Sequence, residues 1–332
     1  MTMNRPNSIT SEILQYQKVK VTTTARLHMG FIDLNGSQGR LFGSLGLNLN
    51  APITQLIIEK SQKPLIEAKN HDCVAKIVEN FKTYLKSDMH FSIKVRESIP
   101  EHAGLGSGTQ MALAVGAGIN ALFDLGLTST QLAAMTSRGR RSGIGIGTFG
   151  QGGLVLDSGR GTSHANKIPP IIARHDFPQE WPILLIMDND DKGVFGDAEL
   201  QAFETLPPAD LATAQHLSHR ILMQALPAVV ENDYTHFSQA IYVLQKATSE
   251  YFFAAQGGHY KSTQVAQVLS YLNQHGFICA GQSSWGPTGF AIFEDEMSAN
   301  STLNQLQQQF LSANLHFQLI RAKNTGASID LS

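Results

Sequence analysis

The segment over residues 100–110, PEHAGLGSGTQ, constrains the fold of this chain more than any other. Gly104, Gly106 and Gly108 alternate with other residues, and the apolar stretch MALAVG follows at once. Glycine allows the left-handed or close-approach backbone that such a loop needs. The start of the predicted helix behind it offers unpaired N–H groups and the positive end of the helix dipole. The segment therefore predicts an anion-binding loop, most often for phosphate; the alternative is a glycine-rich turn that only admits a helix.

The composition excludes several classes of protein. The 332 residues carry a net charge of −2, so a broad basic surface for nucleic acid is not expected. The two cysteines, Cys73 and Cys279, lie far apart and form no CxxC pair, which is typical of a reducing cytosol. Residues 1–17 lack the apolar segment of a signal peptide, and no run reaches the ~20 apolar residues of a membrane span. The sequence therefore predicts a cytoplasmic protein with no nucleic-acid or membrane partner.

Apolar periodicity predicts strands and helices without a βαβ rhythm or a repeat. Alternating or continuous apolar runs predict strands over residues 18–22, 53–59, 91–95, 152–157, 183–187, 290–293 and 317–320. Helical spacing predicts helices over residues 72–86, from the end of the glycine loop to about residue 123, and over residues 128–139, 210–231, 234–253 and 262–275. Prolines cluster over residues 166–182. We therefore predict an α+β fold with two domains, 1–175 and 176–332, that meet around a cleft.

Residues 25–36, ARLHMGFIDLNG, place three chemically useful side chains at the end of the first predicted strand. The guanidinium of Arg26 can grip a phosphate or carboxylate with a planar fork. His28 can move a proton near neutral pH, and Asp33 can hold a metal. We therefore expect Arg26, His28 and Asp33 to be catalytic; a surface turn with an ordinary ion pair is the alternative.

A second glycine-rich segment, over residues 138–161, is flanked by Arg138, Arg140 and Arg141. Its sequence GIGTFG at residues 145–150 matches GxGxxG, but neither a preceding strand nor a following helix is predicted, so a dinucleotide site is not expected. We predict a flexible loop that contacts an anion or closes as a lid, with a long surface hairpin as the alternative.

Two further segments contribute candidates. Asp188 ends a predicted core strand, but residues 188–199 are no calcium loop, because Lys192 stands at the fifth position and a strand precedes it. The segment GQSSWGPTG at residues 281–289 places Trp285 where its ring can lie against a flat aromatic substrate or fill the core. No GxxxxGK[ST], HExxH or GxSxG motif occurs, which excludes P-loop NTPases, zincins and α/β-hydrolases.

Together these segments resemble one family. The order of a strand, a PxxxGLGSGT loop, a helix and a late glycine-containing loop resembles the superfamily of galactokinase, homoserine kinase and mevalonate kinase. Within it, ARLHMGFIDLNG, RSGIGIGTFGQGGLVLDSGR and GQSSWGPTG resemble the β-ribofuranosylaminobenzene 5′-phosphate synthase family. The resemblance covers essentially the whole chain past residue 18.

The resemblance implies a two-domain subunit of the GHMP-kinase type, with mixed sheets, helices packed on one side and the active site between the domains. It implies a homodimer that uses Mg²⁺. It also implies a phosphoribosyltransferase that joins phosphoribosyl pyrophosphate to 4-aminobenzoate or 4-hydroxybenzoate and releases CO₂ and pyrophosphate. This step belongs to tetrahydromethanopterin biosynthesis.

The chemistry of such a reaction suggests a role for each candidate. Arg26 would bind the carboxylate or a phosphate, and His28 would handle the proton near the ring substituent. Trp285 would stack on the benzoate, and the candidate Mg²⁺ ligands are Asp33, Asp157 and Asp188. The candidate phosphate and substrate ligands are Gly104, Leu105, Gly106, Ser107, Gly108, Thr109, Gln110, Arg141, Ser142, Gly143, Thr148, Ser283, Ser284, Trp285 and Gly286.

Two other functions are open at this point. An ATP-dependent small-molecule kinase of the same superfamily would use the same loop. Against it, residues 143–150 contain no Asp, Glu or Lys, and residues 283–287 read SSWGP where such kinases usually show a glycine run. A non-catalytic phosphosugar-binding protein would bind its ligand without turnover. The sequence does not decide between an amino and a hydroxyl group on the benzoate.

Overall fold

The computed structural model describes residues 17–86, 89–136, 138–139, 141–163, 167–191, 193, 206–311 and 314–332. The strands are β1 (Lys18–Asp33), β2 (Arg40–Leu41), β3 (Gly43–Lys60), β4 (Leu65–Glu67), β5 (Phe91–Glu97), β6 (Leu154–Asp157), β7 (Arg160–Gly161), β8 (Ile171–His175), β9 (Ile183–Asp188), β10 (Ala280–Gln282), β11 (Gly289–Ile292), β12 (Leu315–Ile320) and β13 (Ser328–Leu331). The helices are α1 (His71–Leu85), α2 (Ser107–Leu122), α3 (Ser129–Met135), α4 (Ile144–Gln151), α5 (Leu211–Arg220), α6 (Leu226–Glu231), α7 (Tyr234–Gln256), α8 (Thr263–Gln274) and α9 (Glu296–Gln309).

These elements confirm the predicted α+β class. One mixed sheet has the order β13-β1-β3-β5-β4, and β6 pairs with the other half of the long strand β3 and with β8. A second, antiparallel sheet has the order β10-β11-β9-β12. Most of the predicted strands and helices are present, and a π-helical turn, Ile221–Ala225, divides the helix predicted over residues 210–231 into α5 and α6. Among the described residues, no helix is long and apolar enough to cross a membrane.

A bulge in the β1–β3 ladder lies where the side chains of β1 exchange faces. The register shifts between Thr24 and Arg26, and the extra residues are on β3. Before the bulge, Val21 packs in the core under α1 and α2, whereas after it Leu27 packs in the core shared with the second sheet. Successive side chains of a strand point to opposite faces, so Arg26 and His28 lie on the face opposite to Leu27, toward α2.

Helix α2 explains why the segment after the glycine loop is so apolar. Its buried positions lie on all sides of the helix rather than on one stripe. It contacts β1 and β3 on one side and α1, α3 and α4 on the others. The residue before it, Gly106, has a left-handed backbone with φ of 84°, so the loop enters the helix through a conformation that suits glycine.

The prediction of a flexible loop over residues 138–161 is wrong for its middle part, because residues 144–151 form α4. Its glycines have low helix propensity, so the sequence pattern does not predict a helix here. Tertiary contacts outweigh propensity here: Ile144, Ile146 and Phe149 are buried. A Cβ on Gly147 would collide with the Ile171 side chain of β8, so the glycine permits the close approach of helix and sheet.

One hydrophobic core joins the two halves of the chain. It contains side chains of β1 and β3 together with residues of the second sheet and of α7, including Leu27, Leu45, Ile183, Phe237 and Phe290. The last strand, β13, also returns to pair with β1 in the first sheet. The division at residue 175 therefore stays a prediction, although the second sheet begins with β9.

Candidate active site

A cleft of about 660 Å³ opens between the two halves. Its walls come from β1, the glycine loop, the start of α1 and the turn before β11. Nine predicted site residues line it, namely Arg26, Gly104, Gly106, Ser107, Gly108, Thr109, Ser284, Trp285 and Gly286. Eight lining residues were not in the predicted set, namely Lys69, Asn70, His71, Asp72, Cys73, Glu101, His102 and Arg138. The sequence did predict the helix start near residue 72 and the charge of Arg138, but nothing local showed that they face the loop.

Arg26 fixes the glycine loop against β1. Its Nη1 donates to the Gly104 carbonyl over 2.6 Å, and its backbone N–H donates to the Leu105 carbonyl over 3.1 Å. A Cβ on Gly106 would lie only 3.2 Å from the Arg26 side chain, so the guanidinium rests on the loop. Because Arg26 also lines the cleft, its charge has both a fixed position and access to a ligand.

Arg138 adds a second cation at the same place. Its Nη2 lies 3.3 Å from the position that a Cβ on Gly108 would take, and Gly108 is in the first turn of α2. Two guanidinium groups therefore lie at a helix N-terminus whose first residues line the cleft. Such an arrangement binds phosphate through charge and hydrogen bonds together.

The turn before β11 holds the loop from the other half of the chain. Ser283 Oγ donates to the Gly104 carbonyl over 2.8 Å and accepts from the His28 N–H over 3.1 Å. Ser284 N–H donates to the His28 carbonyl over 3.1 Å. Trp285 is 4% exposed, and its ring packs 4.6 Å from that of Phe252. Ser283 is thus a structural link, while Ser284 and Trp285 lie at the cleft wall.

His28 lies behind Arg26 and Ser284 rather than on the cleft wall. Burial, and to a lesser extent the charges of Arg26 and Arg141, lower its pKa to about 3. Its Nδ1 has no hydrogen-bond partner among the described residues, and its ring lies 4.6 Å from that of Phe31. At neutral pH this imidazole is therefore uncharged and can take part in one further hydrogen bond.

The three predicted metal ligands do not converge. Asp33 Oδ1 accepts two backbone N–H groups of the turn that follows it, over 2.8 and 3.1 Å. Asp188 accepts from Ser262 Oγ over 2.5 Å. Asp157 is buried, and its two oxygens accept three hydrogen bonds from its own neighbourhood. Among the described residues, no three His, Cys, Asp or Glu side chains are grouped to hold a metal. These aspartates therefore do not fit a Mg²⁺ site.

Several predicted ligands lie outside the cleft wall. Gln110 is buried: its Nε2 donates to the Gly145 carbonyl over 2.9 Å, and its Oε1 accepts from Thr23. Thr148 is buried in α4 and donates to the same carbonyl. Leu105 is buried in the hydrophobic core that both halves of the chain share, so its side chain does not face the cleft. The remaining predicted ligands, Arg141, Ser142 and Gly143, precede α4 beside Asp157 and His28.

A second cavity, of about 180 Å³, lies between the end of β1, α5 and α7. Its walls include Phe31, Leu217 and Tyr251, and its charged lining groups are Asp210 and Glu250. Two carboxylates and an apolar wall suit neither a phosphate nor a benzoate. The anionic chemistry is therefore in the larger cleft.

Comparison with known proteins agrees with this geometry. Residues 72–151 match the model of the GHMP kinases N terminal domain, and residues 225–312 match that of the GHMP kinases C terminal domain. The homoserine kinase of Cytophaga hutchinsonii has a similar structure, with a TM-score of 0.68 at 14% identity over 98% of this chain and 100% of its own. This likeness shows the fold.

Closer relatives are synthases. The β-ribofuranosylphenol 5′-phosphate synthase of Methanothermobacter thermautotrophicus is 32% identical over 83% of this chain and 89% of its own. That of Archaeoglobus fulgidus is 32% identical over 94% of this chain and 100% of its own. These matches confirm the family resemblance seen in the motifs. The chain is a member of the β-ribofuranosylphenol 5′-phosphate synthase family, within the GHMP kinases.

Proposed function

We propose that this chain is a decarboxylating phosphoribosyltransferase. It would join phosphoribosyl pyrophosphate to a 4-substituted benzoate and release CO₂ and pyrophosphate, as a step of tetrahydromethanopterin biosynthesis. The observation that supports this most is the cleft in which Arg26, Arg138 and the start of α2 converge. Relatives named for a ribofuranosylphenol 5′-phosphate support the same reaction.

The donor carries phosphate at two ends, and the cleft wall holds a third cationic side chain, Lys69, besides Arg26 and Arg138. The diphosphate would lie on residues 104–109 between Arg26 and Arg138, where backbone N–H groups and the helix dipole add to the charge. Lys69, just before α1, and His71, its first residue, also line the cleft. The 5′-phosphate of the ribose would lie there, with the sugar across the middle.

The reaction breaks two bonds and forms one carbon–carbon bond. The ribose C1–O bond breaks, and pyrophosphate leaves with its electron pair. The ring carbon that carries the carboxylate then bonds to C1. Loss of CO₂ returns the pair of the C–CO₂ bond to the ring, which becomes aromatic again. Because charge separates in the first step, donors fixed at the diphosphate contribute most, and loss of one typically costs ~10²–10³ in rate.

The acceptor would lie beside Trp285 and Ser284, with its 4-substituent toward His28. A histidine whose pKa is lowered to about 3 is neutral at pH 7, so it would hydrogen-bond the substituent rather than protonate it. This role requires the cleft wall at Arg26 or Ser284 to move when the acceptor binds, because His28 is buried and does not line the cleft. The names of the relatives favour a 4-hydroxyl over a 4-amino group.

Mg²⁺ remains part of the proposal as a counter-ion of the diphosphate. Asp33, Asp157 and Asp188 are already engaged in hydrogen bonds within the protein, so no step is assigned to the metal. We also propose that the protein is a cytoplasmic homodimer. Sedimentation velocity on the purified full chain measures the assembly directly, and a monomer at micromolar concentration would contradict it.

Release of pyrophosphate tests the reaction class. We expect release from phosphoribosyl pyrophosphate that requires 4-hydroxybenzoate or 4-aminobenzoate. A control with ATP and the same acids should give no ADP. Formation of ADP with a hydroxylated metabolite would instead identify a kinase, and tight binding of the donor without any turnover would identify a binding protein.

A further inference from the structure

Asp157 is a buried carboxylate with a structural task that is visible in its hydrogen bonds. Its Oδ2 accepts from Ser142 Oγ and from the Gly143 N–H, each over 2.8 Å. Its Oδ1 accepts from the Gly159 N–H over 2.6 Å. Burial raises its pKa to about 6 although all three bonds favour the charged form. The buried carboxylate therefore fixes the backbone segment whose groups donate hydrogen bonds to it.

That segment leads directly into α4. Ser142 Oγ also accepts from the Ile144 N–H over 3.2 Å, so the first residues of the helix are tied to the end of β6. The negative charge lies at the helix N-terminus, where it complements the positive end of the helix dipole. The backbone of residues 142–144 thus has a fixed position relative to the sheet, and Arg141 is the next residue back along the chain.

The side chain of Arg141 extends from these fixed residues toward His28. Its guanidinium is near enough to lower the pKa of His28, and its Nη1 is shielded from solvent. Strand β3 connects the two places, since Asp157 pairs with Ser44 and His28 pairs with Gly46. Arg141 and Arg26 therefore both bring positive charge near His28, and Asp157 fixes the backbone segment that follows Arg141.

We propose that Asp157 is a positioning residue, whose hydrogen bonds to residues 142 and 143 place the Arg141 guanidinium beside His28, two residues along β1 from the donor ligand Arg26. This inference rests on the proposed function. It replaces the earlier expectation of Asp157 as a metal ligand. An asparagine here keeps the volume, but its NH₂ group would face an N–H donor instead of accepting from it.

A double-mutant cycle tests the proposal. Asp157→Asn and Arg141→Ala should each lower kcat/KM for phosphoribosyl pyrophosphate about tenfold to a hundredfold, as displacement of a group by about 1 Å does. The kcat/KM of the double variant should lie within about twofold of that of Arg141→Ala. If Asp157 acts by placing the Arg141 guanidinium, its loss has no further effect once that guanidinium has been removed. Ser142→Ala removes one of the three bonds and should cause a smaller loss of the same kind.

Asp295→Asn is the matched control, since Asp295 also accepts backbone N–H groups at a helix N-terminus but lies at the exposed start of α9. It should leave kcat/KM within about twofold. All variants are compared below their own unfolding temperatures, and calorimetry measures their affinity for the donor alone. Multiplicative losses in the double variant, or full activity of Arg141→Ala, would overturn the inference while leaving the function intact. A wild-type protein that neither binds nor consumes the donor would overturn both.

Discussion

Arg26 has the two properties that a phosphate ligand needs, a fixed position and a charge that faces the cleft. Its bond to the Gly104 carbonyl fixes the head group, and it lies on the face of β1 opposite to Leu27, toward α2. His28 follows two residues later on the same face but is buried and neutral. Two residues of the same strand therefore differ in their roles: Arg26 is a charged group at the cleft, and His28 is an uncharged, buried group next to it.

Arg26→Ala should lower kcat/KM for phosphoribosyl pyrophosphate by ~10²–10³, because one preorganised charged donor is lost from the transition state. Arg26→Lys keeps the charge but not the planar fork, so its loss should be intermediate. Steady-state kinetics with varied donor measure both. Arg220→Ala, at the end of α5, is the control and should retain wild-type kinetics; equal losses in the control would contradict a specific role.

His28 should also appear in the pH dependence of stability. Its pKa is about 3 in the folded protein against a usual 6.5, so the unfolded chain binds more protons between these values. The neutral imidazole therefore contributes stability that is complete above pH 6.5 and is lost as the pH falls toward 3, at up to about 1.4 kcal/mol per pH unit. His28→Gln lacks this dependence.

Urea unfolding of both proteins at pH 4 to 8 measures it. The difference in unfolding free energy should increase from pH 4 to 6.5 and stay constant above. A difference that does not change with pH would show that His28 titrates normally in the folded protein.

At the scale of elements, the loop and α2 were predictable because local chemistry determines them. Glycines at residues 104 and 106 need positive φ, and a wholly apolar segment behind them must be a buried helix. The capping box that starts α3 at Thr128 was predictable for the same reason. Helix α4 was not, because its stability comes from packing on β3, β6 and α2 and from Asp157, none of which its own residues reveal.

The residues of the site also fall into a predictable and an unpredictable group. Sequence motifs predicted Arg26, the glycine loop and Trp285, which lie at the cleft. They could not predict Lys69, His71 and Glu101, because these come from other elements that only the folded chain brings to the loop. The aspartates were misjudged as metal ligands because a carboxylate at a strand end looks the same in sequence whether it binds a metal or a backbone N–H group.

Gly106→Ala tests the loop as an element. Both Gly106 and Gly257 have positive φ, so alanine at either should cost about 1 kcal/mol of unfolding free energy. At Gly106 the new Cβ would also press on the Arg26 side chain, whereas at Gly257 nothing lies within 4 Å. We therefore expect weaker donor binding by calorimetry for Gly106→Ala and unchanged binding for Gly257→Ala. Equal effects on binding would contradict the coupling of loop and Arg26.

At the scale of the whole molecule, the two halves behave as one structure around the cleft. The shared core contains residues from both, and β13 closes the first sheet with the end of the chain. Thermal unfolding should therefore be a single transition by calorimetry and by circular dichroism. Two separated transitions would show that the halves fold independently and that the cleft is an interface between domains.

We propose that a kinase-like fold here performs a decarboxylating transfer of phosphoribose. The most direct measurement is the release of labelled CO₂ from carboxyl-labelled 4-hydroxybenzoate, with and without phosphoribosyl pyrophosphate and Mg²⁺. We expect CO₂ in a one-to-one ratio with pyrophosphate, only when the donor is present, and a slower reaction with Arg26→Ala. Pyrophosphate release with the label retained on the benzoate, or no release at all, would contradict it.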